Sequence, residues 1–558
     1  MGVTSYEKYW SDMSAEVRRR LLLGSVGSKH LFDVGVRSLE SDPQLAVELL
    51  FAAYTANPLD GNMAQQLIDI EGLISLFPAS AVPCIKGLLK YWQRPDNLSY
   101  FLRITAKRDN DKVRSYILSC LEKESANIFW IQQGLIYAGA CSDFQFGLEL
   151  LDRDFPSEIT AAVNSAKAFF SYMNGDAANA FKLLLAASEV FGIANVGHLA
   201  ASIALSLGDR ETARSIFSGS VEAQPWRVSE ALRLYDLERE LDKKIEPFSD
   251  SLAILLYSFN KADELDATLA SLHRSELYKA VIFMLDNGSS DGTSKVISRW
   301  QEKFGQQMVR IDLPVNVGAA AARNWLMNHP DVKNSKFAVY LDDDVEVDPE
   351  WLSKLSAAVK EYPDAGVWGC KVVDYNFSAV MQSVDLHIIQ PKGDEGAGPE
   401  VDLAQIAPNP FRVSDIHHQL LDAGYFDFMR PCASVTGCCH LFRTAKLLDN
   451  GGFSLFLSPS QYDDMEHDLR SCLKGEFAVY QGHLRILHRK KTGTSSRVSV
   501  AQEGNALGNK YKMQAMHPRS EILQIMADEE GLLQSDLIRK LESLCEKGVL
   551  ASYNIAGE

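Results

Sequence analysis

Three adjacent carboxylates, Asp342, Asp343 and Asp344, close the apolar run FAVYL. Like charges at that spacing repel one another unless a cation neutralises them. Oxygen ligands at a strand end, with coordination positions left for other groups, suit Mg2+ or Mn2+ shared with a diphosphate. The competing reading is a solvated acidic turn, and the buried strand just before it favours chemistry. A second cluster, Asp286-Asn287-Gly288-Ser289-Ser290-Asp291-Gly292-Thr293, follows the run KAVIFML. It holds part of a calcium-loop frame, but Ser298 stands where that loop requires Glu, which excludes an EF-hand. Its acid and amide groups can read a base edge, and Asp291 is placed to cap the next helix.

A third cluster is Asn316-Val317-Gly318, then Ala319 to Ala322, then Arg323-Asn324. Its small residues let a helix start pack closely on a ligand or a sheet. Arg323 can pair with the acids or with phosphates, or lie on the surface. A fourth is QYDDMEHDLRSCLKG, residues 461–475. Its simplest reading is a charged helix in which Glu466 pairs with Arg470 at i, i+4. His488, in ILHRKKTGTSS, is a metal-ligand candidate, with Arg489 or Lys491 as a phosphate partner.

Alternating strands and helices must position these groups. SLAILLYSF, KAVIFMLDN, VRIDLPV and FAVYLDDDVEV read as strands, separated by the helices KADELDATLASLHRS, DGTSKVISRWQEKF and GAAAARNWLMN. That order implies an α/β, doubly wound, mostly parallel sheet, whose ligands bind at the carboxyl ends of strands. The polar clusters lie at those ends, after Tyr257, Leu285 and Leu341. Residues 1–240 are instead rich in Leu and Ala at helical spacing. Ser142-Asp143, Gly175-Asp176 and Gly208-Asp209 recur every 33 residues, each followed by a small residue (Gly147, Ala180, Ala213) and a large apolar one (Leu151, Leu184, Phe217). This resembles the tetratricopeptide repeat and is clearest over residues 130–235; upstream no period shows. DLERELDKKIEPFSD, 236–250, reads as a linker, PKGDEGAGPE, 391–400, as a loop, and residues 496–558 as a C-terminal helical segment.

Together the clusters resemble glycosyltransferase family 2, with its GT-A fold. The family pattern is a strand ending in a small polar turn, then DxGSxDGT, then NxGxxxARN, then a strand ending in DxD. Here the pieces are Ser258-Phe259-Asn260, DNGSSDGT, NVGAAAARN and LDDDVEVDPEWL, within residues 250–495. The resemblance implies an inverting, metal-dependent enzyme with a nucleotide-sugar donor, UDP- or dTDP-linked, and Mn2+ or Mg2+ as cofactor. It assigns donor binding to Ser258, Asn260, Asp286, Asn287, Asn316, Gly318, Arg323, Asp342 and Asp343, and metal binding to Asp344 and His488. The family's EDxDLxxR motif falls on Asp463 to Arg470. Its second acid, the general base that takes the acceptor hydroxyl's proton, lands on Asp464. The FDE acids that the family carries after its glycines are replaced by Ser454 and Leu455. Glu466 and Asp468 therefore compete with Asp464 for the role of base. Residues 371–440 are expected to shape a site for a glycan or protein acceptor, with the helical half selecting that acceptor or a protein partner.

Composition narrows the alternatives. With 73 acidic and 56 basic residues, a net charge of −17 argues against a nucleic-acid or anionic-membrane binder. No apolar run approaches the ~20 residues of a membrane span, and Leu21 to Leu23 are too short for a secretory core. Nine mostly scattered cysteines without CxxC spacing suit a reduced, cytoplasmic protein, or one peripheral to the cytoplasmic membrane face. Cys438 and Cys439 read as packing residues. A dehydrogenase and a P-loop NTPase are disfavoured because GxGxxG and GxxxxGK[ST] are missing. A sugar nucleotidyltransferase and an inactive scaffold remain as alternatives.

Overall fold

The computed structural model describes residues 5–390, 411–489 and 500–551. The 391–400 stretch and Lys491 lie outside them. The chain divides into two compact units. One runs to Tyr235 and takes in Gln419–Tyr425 and the chain from Lys540 on; the other holds Asp236–His418 and Phe426–Arg539. No helix among the described residues is long and apolar enough to cross a membrane.

The first unit is helical, and its repeated turn has one construction. Asp143, Asp176 and Asp209 each cap a helix, accepting the N–H of Phe146, Asn179 and Thr212 at 3.1, 3.1 and 3.0 Å. Each also closes the preceding helix by donating its own N–H to Ala138, Ser171 or Ala204. The residue before each cap is left-handed: Ser142 at φ 52°, Gly175 at 90° and Gly208 at 82°. The small residues are needed where helices meet, since a Cβ on Gly147 would lie 2.2 Å from the Phe170 ring.

The same turn occurs once more upstream, where the sequence shows no period. Asp109 accepts the N–H of Lys112 at 3.4 Å and donates to Ile104, and Arg108 before it is left-handed at φ 54°. The signal is masked because Arg108 stands where later turns have Gly or Ser, and Val113 where they have Gly or Ala. A left-handed residue with a Cβ carries a cost of about 1 kcal/mol that glycine avoids. Arg108→Gly should therefore raise the melting temperature of this unit by about 2–4 °C, and Gly175→Ala lower it comparably, in thermal denaturation. A loss of stability in Arg108→Gly would contradict the strain argument.

The second unit is built on β1 (Leu252–Ser258), β2 (Val281–Asp286), β3 (Met308–Asp312), β4 (Phe337–Leu341), β5 (Val345–Glu346), β6 (Val367–Asp374), β7 (Met381–Ser383), β8 (Ile388–Ile389), β9 (Arg412–Val413), β10 (Met429–Cys432), β11 (Cys439–Arg443) and β12 (Ala478–His488). The main sheet runs β10-β12-β6-β11-β4-β1-β2-β3, with β5 on β12 and β7 on β6. Strands β4, β1, β2 and β3 are parallel, while β11 runs antiparallel to both its neighbours. Strands β1 and β4 read as unbroken apolar runs because both faces are covered. The covering helix Ala262–Arg274 buries Leu265, Leu269 and Leu272. Its Asp263 and Glu264 at the start, with His273 and Arg274 at the end, complement the helix dipole.

A buried ionic cluster holds the last helix, Arg519–Glu546, to this unit through Glu529. His387 Nδ1 meets Glu529 Oε1 at 2.8 Å, His387 Nε2 meets Asp385 Oδ2 at 3.0 Å, and Arg430 bonds the same Asp385. Burial works to raise Asp385, but Arg430 and His387 beside it outweigh that and hold it at about 2. Its folded value is thus depressed below the unfolded one. The stability it contributes, about 2 kcal/mol, is complete above pH 4 and is lost as pH falls through about 2. Denaturant midpoints followed from pH 5 to pH 2 should show this fall, and Asp385→Asn should remove that part of the slope.

Candidate active site

In the order β3-β2-β1-β4 the chain switches direction between β1 and β4, so a crevice opens at their carboxyl ends. The turn after β1 carries Ser258, Asn260 and Lys261. Ser258 is fully buried and its carbonyl accepts the N–H of Asn287 at 2.9 Å. Asn260 is left-handed at φ 52°, and its Oδ1 accepts the N–H of Ser290 at 2.8 Å. After β2, Asp286 Oδ1 accepts the N–H of Ser289 at 2.9 Å. Asn287 is spent on the neighbouring loop: its Nδ2 donates to Asn316 Oδ1 at 3.0 Å and its Oδ1 accepts the N–H of Val317 at 3.0 Å. Asn316 Oδ1 also accepts the N–H of Gly318 at 2.9 Å. These side chains shape the crevice wall by bonding one another. Asp291 accepts the N–H of Thr293 at 2.9 Å, the helix-start role expected of it.

After β4 the three carboxylates diverge. Asp342 is half-buried, whereas Asp343 and Asp344 are buried. Lys261 bridges the buried two, with Nζ 2.9 Å from Asp343 Oδ1 and 2.8 Å from Asp344 Oδ2. Burial pushes Asp343 up; Asp344 is held below the usual carboxylate range because His488 and Lys261 outweigh its burial. Lys261 was not singled out from the sequence, where its two partners lie more than eighty residues downstream.

Two later strands bring the other groups. Strand β12 pairs antiparallel with β5, setting His488 opposite Val345, and this returns its ring to the acids. His488 Nε2 lies 3.2 Å from Asp344 Oδ1, and Nδ1 lies 2.6 Å from Gln382 Oε1. Strand β11 pairs with β4 from Cys439 opposite Leu341, so the residue before it, Cys438, sits beside Asp342. The Asp342 N–H donates to the Cys438 carbonyl at 3.1 Å. Of the two cysteines expected to pack, Cys439 is fully buried, while Cys438 Sγ approaches His488 Nδ1 at 3.9 Å. Asp342, Cys438 and His488 each offer a ligand atom within 4.8 Å of the others. Carboxylates with an imidazole are a donor set suited to a first-row divalent cation.

The fourth cluster forms the helix Asp463–Cys472. Arg323, buried on the helix Ala319–Met327, bonds Asp463 Oδ2 at 2.7 Å and lies 3.9 Å from Asp342. It thus ties the two acidic elements together. Glu466 is buried and paired with Arg470 at 2.8 Å, the i, i+4 pair legible in the sequence. Asp468 is buried against His440 at 3.0 Å and Ser434 Oγ at 2.7 Å. Asp464 is half-buried, and its Oδ2 accepts the N–H of Gly437 at 2.7 Å. A Cβ on Gly437 would lie 2.6 Å from Asp464 Oδ2 and 2.7 Å from Arg323 Nη2, so a larger residue there would push both charged groups aside. Gly437 and Cys438 are therefore one turn that touches both the acid helix and the metal-ligand candidates.

Comparison with known proteins follows the same part of the chain. No curated protein matches it. Among solved structures, S. aureus TarS is 19% identical at a TM-score of 0.29, covering 42% of this chain and 35% of that one, so the chain spans about a third of its length. The mannosyltransferase PcManGT from Pyrobaculum calidifontis, solved with GDP-Man and Mn2+, is 15% identical at a TM-score of 0.34, covering 62% and 88%. TarS 1-349 with UDP-GlcNAc is 16% identical at 0.33, covering 53% and 74%. The family described as glycosyl transferase family 2 matches residues 253–412, the stretch that runs from β1 through the three carboxylates. Over those residues the chain matches glycosyl transferase family 2, and the match lies on the α/β, mostly parallel sheet expected of the GT-A fold.

Proposed function

We propose that this protein is an inverting, metal-dependent glycosyltransferase that moves a sugar from a UDP- or dTDP-linked donor to a hydroxyl of a glycan or protein acceptor. One observation carries the reading: of four acids on the helix Asp463–Cys472, Asp464 alone is half-exposed, and it shares the Gly437-Cys438 turn with the carboxylates after β4. Asp463, Glu466 and Asp468 are buried on Arg323, Arg470 and His440. Asp464 is the base: it takes the proton of the acceptor hydroxyl as that oxygen bonds the anomeric carbon and the nucleotide diphosphate leaves with its electron pair. Asp342, Asp344 and His488 would hold the cation, which when bound supplies Lewis-acid stabilisation of charge on the diphosphate. Asp286 and the turn from Ser258 to Asn260 face the base and ribose. The nine unpaired cysteines suit a reducing, cytoplasmic setting. The helical unit, read as a repeat array of tetratricopeptide type, selects the acceptor or a protein partner.

Calorimetry with UDP and dTDP, with and without Mn2+, tests the donor site in wild type and Asp344→Ala. Metal-dependent binding that the variant loses supports the reading. Failure of every nucleotide, GDP and CMP included, in folded protein overturns it in favour of a scaffold. The acids separate by a second measurement. Asp464→Asn should cut sugar transfer by about 10²–10⁴-fold while leaving nucleotide affinity and folding unchanged. Asp468→Ala should instead cost about 3 kcal/mol of stability, because it strands His440 and Ser434 in the interior.

A further inference from the structure

We infer that Cys438 is itself a ligand of the divalent cation, and that its thiolate makes this site select Mn2+, Co2+ or Zn2+ over Mg2+. The inference rests on the metal-dependent reading above and deepens it. The register of β11 on β4 fixes where the sulfur goes: Cys439 pairs with Leu341 and is fully buried, so alternation sends Cys438 to the opposite face. There its Sγ joins Asp342 and His488 in a group whose ligand atoms all lie within 4.8 Å of one another. A tetrahedral shell with bonds of about 2.3 Å to sulfur and 2.0–2.1 Å to nitrogen and oxygen has edges of roughly 3.3–3.6 Å. Closing a 4.8 Å separation to that edge takes a shift of about 1 Å.

Two further features point to a cation here. Gln382 Oε1, 2.6 Å from His488 Nδ1, takes the hydrogen of that nitrogen and fixes the tautomer, as outer-shell partners of metal-bound histidines do. His488 Nε2, on a residue 7% exposed, lies 3.2 Å from Asp344 Oδ1 without a well-aligned hydrogen bond. A cation entering there replaces the proton that the imidazole and the carboxylate share. Lys261 already neutralises Asp343 and Asp344 on their far side, and Arg323 reaches Asp342 only at 3.9 Å, which leaves the half-buried Asp342 open to a cation. On binding, Cys438 gives its thiol proton to solvent and its sulfur lone pair to the cation. Thiolate is a soft ligand that Mg2+ does not favour, which sets the order of preference.

The test is titration of the full chain with Co2+, read by sulfur-to-cobalt charge-transfer absorption in the near ultraviolet. Wild type should develop the band at a single equivalent; Cys438→Ser and Cys438→Ala, each checked by circular dichroism, should lack it; Cys545→Ser, on the last helix, should keep it. Cys438→Ser should also lower Mn2+ affinity by about tenfold or more relative to Mg2+. Co2+ bound without the band, a band unchanged in both Cys438 variants, or no Co2+ binding at all overturns the inference. Sugar transfer assayed with Mn2+ keeps the two readings apart. Transfer without a sulfur band removes only the thiolate ligand, whereas a sulfur band without nucleotide-sugar binding removes only the transferase reading.

Discussion

The site depends on the compensation of carboxylates that the fold forces together. Asp342, Asp343, Asp344, Asp463 and Asp464 converge in a buried crevice, where unpaired charge costs several kcal/mol. The fold meets this with cations drawn from distant parts of the chain. Lys261 sits between Asp343 and Asp344, Arg323 joins Asp463 to Asp342, and His488 faces Asp344. The least tightly paired acids, Asp342 at 3.9 Å from Arg323 and Asp464 on the Gly437 N–H, are also the half-exposed ones. The charges that the protein balances least are thus the ones it leaves open to solvent.

Sheet topology makes this compensation possible. The parallel strands supply the first acids at a switch point, but their own loops cannot bring a second set of groups across the crevice. The antiparallel strand β11, inserted between β4 and β6, places the Gly437-Cys438 turn against the acids, and β12 returns along β6 to deliver His488. The glycine at 437 lets two charged side chains approach the backbone together. A fully parallel sheet would present the carboxylates without these counterparts.

The parallel strands and their terminal clusters were legible because buried strands read as apolar runs that stop at polar residues. The capping aspartates were legible wherever Gly or Ser preceded them, and Asp109 was not, since Arg108 adopts the same left-handed turn without the usual residue. Lys261 and Cys438 escaped for another reason. Their partners are set by strand register and lie far away in sequence, and neighbouring cysteines look alike until alternation separates them. The acid helix shows how far local periodicity goes. Asp464 and Asp468 are one turn apart on one face, so spacing cannot rank them, and depth in the fold does.

The segment Gln419–Tyr425 lies between β9 and β10, yet it belongs to the helical unit, where the Tyr425 ring packs 4.7 Å from that of His198. The chain from Lys540 belongs there too. On the ribosome, the first 235 residues emerge well before either piece exists. The helical unit therefore cannot finish folding in the order in which it is made, as an N-terminal domain ordinarily does. It must wait for the whole second unit to be synthesised, so a chain broken off anywhere in that unit leaves the helices without their last components.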